Sequence, residues 1–450
     1  MKIDYKNVRS TIGKYMLADG MPPVIDFGKS HGSWLYDGNT GKEYLDLFSM
    51  FASMSVGYNH PYVIKNSYRL TEAALNKPSN SDIYSLEMAK FVDTFGRIAQ
   101  PDYLPYSFFI EGGSLAVENA LKTAFDWKVR HNLKNGFKAG GNKIIHFKDC
   151  FHGRSGYTMS LTDSPDPRKV QYFPKFKWPR VLNPYMIFPL NEKNIEKTKK
   201  MENQSIKEIK NVLKMNPKQI AGLIIEPIQG EGGDNHFSKE FLIKLKELSL
   251  ENDFLLIHDE VQTGVGITGK MWAHQRFRGS NKSLKSENFD QSLIPDVMSF
   301  GKKTQVCGVL AGERLNEVEN HVFHESSRIN STFGGNLVDM VRFTIYLEII
   351  EKENLLKLAY LNGKYLLKAL ENIERKHSSL VQNVRGKGLW CSFDLPDGEL
   401  RDKLVELLYQ EGLIILGCGI KSIRFRPHLN ISKEEIDIAS DMLLNSLKLL

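Results

Sequence analysis

Between residues 76 and 335, short apolar runs alternate with amphipathic helical stretches, and this alternation limits the folds open to the chain more than any other feature. The runs are YSFFI (106–110), KIIHF (143–147), AGLIIEPI (221–228), FLLIHDE (254–260) and VMSFG (297–301). They are nearly continuous in apolar residues, the pattern of strands buried on both faces. Strands separated by helices assemble into a mostly parallel sheet between helical layers, so an α/β domain is expected over 76–335. Residues 1–75 hold a short helix and a hairpin, Ser33 to Phe48, around a DGNTG turn; they are expected to join a smaller domain. Residues 336–450 read as that smaller α+β domain. Long helices carry Leu337, Met340, Val341, Ile345 and Ile349 at helical spacing, and a last helix opens with the capping-box pair Ser432 and Glu435. The polar stretch RFRGSNKSLKSENFDQS, 276–292, reads as a surface insertion.

Charge excludes some function classes. The formal charge is +7 over 450 residues, with basic residues scattered among acidic ones. No basic tract interleaved with aromatics is present, so no nucleic-acid partner is implied. Cys150, Cys307, Cys391 and Cys418 show no metal-ligand spacing, so free buried thiols and no metal are expected. The N-terminal MKIDYKNVRS lacks an apolar core and no run approaches the ~20 apolar residues of a spanning helix, so a cytoplasmic protein with no membrane partner is expected.

Several candidate groups stand where the apolar runs end. In PDVMSFGKKTQVCG, Pro295 to Gly308, Lys302 and Lys303 follow a buried strand and Gly301. An ammonium loses hydration there, which favours a neutral, nucleophilic amine; a solvated loop is the plainer account. Asp259 and Glu260 close FLLIH, where carboxylates are costly unless something positive meets them. Asp259 is the better candidate for facing a cationic ligand, and Glu260 suits a salt bridge to a helix. The glycines of EGGSLAVENALKTAFDWK, Glu111 to Lys128, lead from a strand into a helix whose N-terminus suits a phosphate. An ordinary N-cap at Ser114 explains the same stretch. In FHGRSGY, Phe151 is suited to stack on a flat ring and Arg154 to fork onto a carboxylate, although packing and surface roles fit both. Gly264, Gly266 and Gly269 spell GxGxxG, but DEVQT separates them from the strand and Met271 stands where a phosphate loop needs Ser or Thr. Together the groups suit pyridoxal 5'-phosphate: a helix for its phosphate, Phe151 over its ring, Asp259 for its ring nitrogen and Lys302 for its aldehyde.

These residues resemble the class III, ω-amino-acid branch of fold type I pyridoxal-phosphate aminotransferases. The resemblance runs from DGNTGKEYLDL to RFRPHL and includes LNKPSNSDIYS, FHGRSGYTMSLT, EPIQGEGGDNHF, HDEVQTGVGITG, FGKKTQVCG and RINSTFGGNL. It implies a large domain with a seven-stranded, mostly parallel sheet between helices, beside a smaller α+β domain. It implies that Lys302 holds the cofactor aldehyde and is catalytic, with Asp259 on the pyridine nitrogen. Gln262 contacts the ring hydroxyl, Val261 packs opposite Phe151, and Gly113 and Ser114 hold the phosphate. Thr332 of the partner subunit reaches the same phosphate, so a homodimer with sites at the subunit interface is implied. For substrate, it implies Arg154 on the distal carboxylate and Glu231 with Arg424 as a switchable pair. FGKKTQVCG and QGEGGDNHF are the narrower motifs. They imply transfer of the ε-amino group of L-lysine to 2-oxoglutarate, giving 2-aminoadipate 6-semialdehyde and L-glutamate. His258 departs from the family, which commonly has phenylalanine there. Another donor (ornithine, 4-aminobutyrate or a diamine) and a non-catalytic cofactor-binding protein remain the alternatives.

Overall fold

The computed structural model describes residues 3–277 and 293–450. The expected insertion 276–292 lies outside the described residues apart from Arg276 and Phe277. A hairpin of β1 (Trp34–Tyr36) and β2 (Glu43–Asp46) leads to β3 (Tyr106–Ile110), β4 (Lys143–Phe147), β5 (Arg180–Val181) and β6 (Ile220–Ile225). A small ribbon, β7 (Ile228–Gln229) and β8 (Asn235–His236), precedes β9 (Leu255–Asp259), β10 (Val297–Phe300) and β11 (Cys307–Ala311). The C-terminal part adds β12 (Gln382–Lys387), β13 (Trp390–Asp394), β14 (Leu413–Ile414), β15 (Leu416–Cys418) and β16 (Ser422–Phe425).

The main sheet has seven strands in the order β3-β11-β10-β9-β6-β4-β5. Among the described residues β11 alone runs antiparallel to its neighbours. All residues of β6, β9, β10 and β11 are buried, as apolar runs without polar alternation require. Successive side chains serve opposite faces. Ile224, Ile257, Val297 and Val309 pack with Val117, Leu121 and Ala124 of the helix Gly113–Lys134. Leu223, Ile225 and Leu256 turn the other way, onto Phe241, Leu245 and Leu248 of the helix Lys239–Glu251.

Two strands of the main sheet escaped the sequence reading. β5 is only two residues long, and β11 sits directly behind the lysine loop, where CGVLA looks like an extension of a glycine-rich turn. The run read as 221–228 also stops early. β6 ends at Ile225, and Ile228 belongs to the separate β7–β8 ribbon. The break leaves Glu226 buried with its carboxylate accepting the backbone N–H groups of Phe151 (3.0 Å) and Gly230 (2.9 Å).

The N-terminal hairpin is completed from the far end of the chain: β14 pairs parallel to β2, Leu413 beside Leu45. A second sheet, β12-β13-β16-β15, is antiparallel throughout and carries Arg424 on β16. The helix Lys433–Leu447 starts with the expected reciprocal cap between Ser432 and Glu435. Because Ile257 lies fully buried in the middle of β9, Ile257→Ala should cost about 2–5 kcal/mol. Urea unfolding checks this; an unchanged midpoint would mean that the sheet centre collapses onto the cavity.

Candidate active site

Five chain segments leave the same edge of the sheet, the carboxyl ends of its parallel strands, where open α/β folds bind ligands. After β9 comes Asp259. Its Oδ2 accepts a hydrogen bond from His152 Nδ1 at 2.7 Å, and its Oδ1 accepts from the Val261 N–H at 3.1 Å and the Ser299 hydroxyl at 3.2 Å. A buried carboxylate needs such partners, and the parallel register that sets Ser299 beside Asp259 supplies one of them. Burial alone would push the His152 imidazole down, yet Cys150 and the bond to Asp259 hold it well above its usual range.

After β10 comes Gly301 and then Lys302, whose backbone has φ 53°. That left-handed conformation is strained for a residue with a side chain. Burial, reinforced by the nearby positive charges of Arg424 and Arg426, lowers the Lys302 pKa to about 8. Lys303 points away from the cavity. It is fully buried, and its Nζ donates to the Ala52 carbonyl at 2.8 Å. The Ser55 hydroxyl donates to the Lys303 carbonyl at 3.0 Å, and Gln305 Nε2 donates to the Ser53 carbonyl at 2.6 Å. The turn that receives these bonds is itself strained, because Ser49, Met50, Phe51 and Ala52 all have φ between 41° and 63°.

After β3, Gly112 adopts φ 90° and opens the 22-residue helix Gly113–Lys134, with no side chain capping its first turn. The N–H groups of that turn therefore face the cavity. Ser114 lies inside the helix and is not its N-cap. Its Oγ accepts the Arg154 N–H at 3.2 Å. Gly153, at φ 126°, makes this approach possible, since a Cβ there would sit 2.2 Å from Ser114 Oγ.

These segments enclose a cavity of about 210 Å³. Seven of the eight expected cofactor residues line it: Gly113, Ser114, Phe151, Asp259, Val261, Gln262 and Lys302. His152 and Glu226 also line it and were not singled out from the sequence. The HGR of FHGRSGY and the Glu of EPIQGEGG were the available signals. Burial raises the Glu226 carboxyl to about 7, with Asp259 adding to the shift and His152 opposing it.

The remaining expected residues lie outside this lining. Thr332 is exposed on the loop before the helix Leu337–Lys352. The Arg154 side chain is also exposed. Arg424 lines an adjoining recess with Phe48, Phe51 and Gln262, and its buried Nε has no hydrogen-bond partner. Arg426, two residues on, is fully engaged: it pairs with Asp234 and donates to Gln262 Oε1 at 3.3 Å. Glu231 contacts Lys169 and accepts from the Ser164 hydroxyl at 2.6 Å.

A family model described as aminotransferase class-III matches residues 15–447. The chain belongs to the class-III aminotransferases. It is 46% identical over 436 residues to an L-lysine-epsilon aminotransferase of Mycobacterium tuberculosis, covering 96% of this chain and 93% of the relative. The corresponding protein of Amycolatopsis lactamdurans is 44% identical over 99% of this chain and 96% of its own length. Human mitochondrial 4-aminobutyrate aminotransferase is 31% identical over 92% of this chain and 82% of its own. The solved lysine aminotransferase of M. tuberculosis superposes with a TM-score of 0.94 at 45% identity, covering 99% of this chain and 100% of that one.

The cofactor of this class-III aminotransferase is pyridoxal 5'-phosphate. The residues present fit it. An uncapped helix N-terminus suits the phosphate, a carboxylate held in place by His152 suits a protonated ring nitrogen, and a desolvated amine suits an aldehyde. In cofactor-free protein the sign follows from the lowered pKa. Below about 8 Lys302 is a protonated, inert ammonium; above it the amine is neutral and reactive. Competitive labelling with a small acylating reagent should give a midpoint near pH 8, and a midpoint at the ordinary lysine value would show a hydrated amine.

Proposed function

We propose that this class-III aminotransferase moves the ε-amino group of L-lysine to 2-oxoglutarate, giving 2-aminoadipate 6-semialdehyde, which cyclises, and L-glutamate. The observation that carries this reading is the contrast among relatives: 44–46% identity over nearly the whole chain to L-lysine-epsilon aminotransferases, against 31% to a 4-aminobutyrate aminotransferase.

When bound, the cofactor supplies an aldehyde that takes up the amine and a protonated ring that draws electrons from the reacting carbon. The chain's residues do the rest. Asp259, oriented by His152 and Ser299, keeps the ring nitrogen protonated. Phe151 and Val261 hold the ring between them, and Gln262 takes its hydroxyl. Gly113 and Ser114 hold the phosphate, with Thr332 of the partner subunit, in a homodimer whose sites lie at the interface. The exposure of Thr332 in one chain supports this arrangement. Lys302 Nζ, its basicity lowered by burial, takes a proton from the carbon bearing the ε-amine. The work is placed in the cytoplasm. No helix among the described residues is long and apolar enough to cross a membrane.

One site must accept two unlike substrates. Lysine reacts at its far end and offers one carboxylate, which Arg154 takes. 2-Oxoglutarate reacts beside one carboxylate and carries a second, so it needs Arg424 as well. Glu231 covers Arg424 during the lysine half-reaction and leaves it during the other. The unpartnered Arg424 Nε supports this reading, since it leaves a cation ready for a carboxylate.

Two measurements test it. L-Lysine added without an oxo acid should discharge the visible absorbance of the loaded protein about tenfold or more faster than ornithine, the discrimination one methylene supplies. Faster discharge by ornithine or 4-aminobutyrate would keep the chemistry and overturn the donor. Glu231→Ala should lower the preference for the ε-amine over an α-amine by about tenfold, the loss of one charge-assisted contact. If neither that preference nor the 2-oxoglutarate half-reaction changes, Glu231 and Arg424 are not a switch.

A further inference from the structure

Glu231 is not idle when it is away from Arg424. Its Oε1 accepts the Ser164 hydroxyl at 2.6 Å and also meets Lys169 Nζ. Lys169 ends the short turn Pro167–Lys169, and its Nζ stands 5.7 Å from the centre of the Phe151 ring, at the rim of the cofactor cavity. The backbone of Glu231 is anchored on the opposite side. Its carbonyl accepts the Gly419 N–H at 2.6 Å, in the turn between β15 and β16. β16 carries Arg424, which lies opposite Leu416 of β15. The Glu231 loop is thus fixed next to the Arg424 hairpin, while the Glu231 side chain is held on another segment.

We propose that Lys169, assisted by Ser164, is the counter-partner that holds Glu231 off Arg424 while a dicarboxylate occupies the site, so that Lys169 determines specificity in the oxo-acid half-reaction. This rests on the reading of Glu231 and Arg424 as a switch. The chemistry suits an exchangeable contact. The Lys169 and Glu231 side chains retain 21% and 17% of their exposure, so water screens the pair and its hold is modest. The nearby Arg426–Asp234 pair is almost wholly buried, at 3% and 0%, and has no such freedom. A carboxylate moving between Lys169 and Arg424 trades one cation for another and never stands unpaired. Without Lys169 the trade becomes one-sided: Glu231 settles on Arg424, and an incoming dicarboxylate must displace it.

Glutarate, a dicarboxylate without a keto group, is the probe. Calorimetric titration of the cofactor-loaded protein should show Lys169→Met binding glutarate about three- to tenfold more weakly. Lys169→Arg should restore binding, and the KM for 2-oxoglutarate should rise in Lys169→Met relative to that for L-lysine. In a Glu231→Ala background Lys169→Met should have no further effect, because no carboxylate is left to hold. Unaltered glutarate binding in Lys169→Met would overturn the proposal. So would a loss that persists in the Glu231→Ala background, which would mean that Lys169 attracts the anion directly. If Glu231→Ala by itself changes neither glutarate binding nor donor preference, the switch fails first and this inference fails with it. A Glu231→Ala effect without a Lys169→Met effect would remove Lys169 alone.

Discussion

Opposite charges that are costly to bury singly become tolerable when buried together, and the site is organised around that constraint. Asp259 is 4% exposed at the end of β9, and Lys302 loses hydration at the end of the neighbouring β10. Neither end could be placed there by a solvated sheet. The strands must be buried on both faces for their carboxyl ends to open into a dry cavity, and the continuous apolar runs provide that burial. The same desolvation that lowers Lys302 raises Glu226, so one cavity is lined by a base made weaker and an acid made weaker.

Strained backbone is also found in the same place. A non-glycine residue in the left-handed region costs about 1–2 kcal/mol, and Lys302, Gln305 and the four residues Ser49–Ala52 all sit there. Two strained turns facing each other are joined by the bonds from Lys303 to Ala52, Ser55 to Lys303 and Gln305 to Ser53. Lys303 can make this join because burial, with Arg426 and Lys302 nearby, holds its amine well below its usual range; a neutral amine still donates. The second lysine of FGKKTQVCG is thus a structural partner of the first. It points back into the fold and fixes the backbone from which Lys302 reaches forward.

Much of this was legible in the sequence, for identifiable reasons. Strands β3, β4, β9 and β10 lie within a residue or two of their apolar runs because their limits are set by glycine, proline or charge. Seven of the residues expected to hold the cofactor come together in one cavity because each stands at the end of such a strand or just after it, so local sequence fixes which edge of the sheet it occupies. β5 and β11 were not legible. Two residues carry no periodicity, and β11 is antiparallel, reached by a tight loop and not by a crossover helix. His152 was passed over beside Phe151 and Arg154, since nothing local shows that it will meet Asp259, 107 residues later in the chain. The contacts of Glu231 were equally hidden, because Lys169 stands in a polar stretch with no pattern to mark it.

The two arginines of IRFRP show how far spacing can carry an argument. Both are cations on or next to the same strand, and spacing gives no reason to prefer one as a substrate ligand; only the family resemblance points to Arg424. Burial separates them. Arg426 is enclosed with Asp234, bonded to Gln262 and laid 3.3 Å from the centre of the Trp390 ring, so every part of its guanidinium already has work. Arg424 keeps a buried nitrogen without a partner in a recess that shares Gln262 with the cofactor cavity. An unsatisfied buried donor costs about 1–3 kcal/mol in the folded protein. In the proposed switch that cost is returned when a carboxylate arrives, whether from Glu231 or from a dicarboxylate substrate. On that proposal, specificity for two substrates in one site needs no second pocket, only one cation left short of a partner and one carboxylate able to be elsewhere.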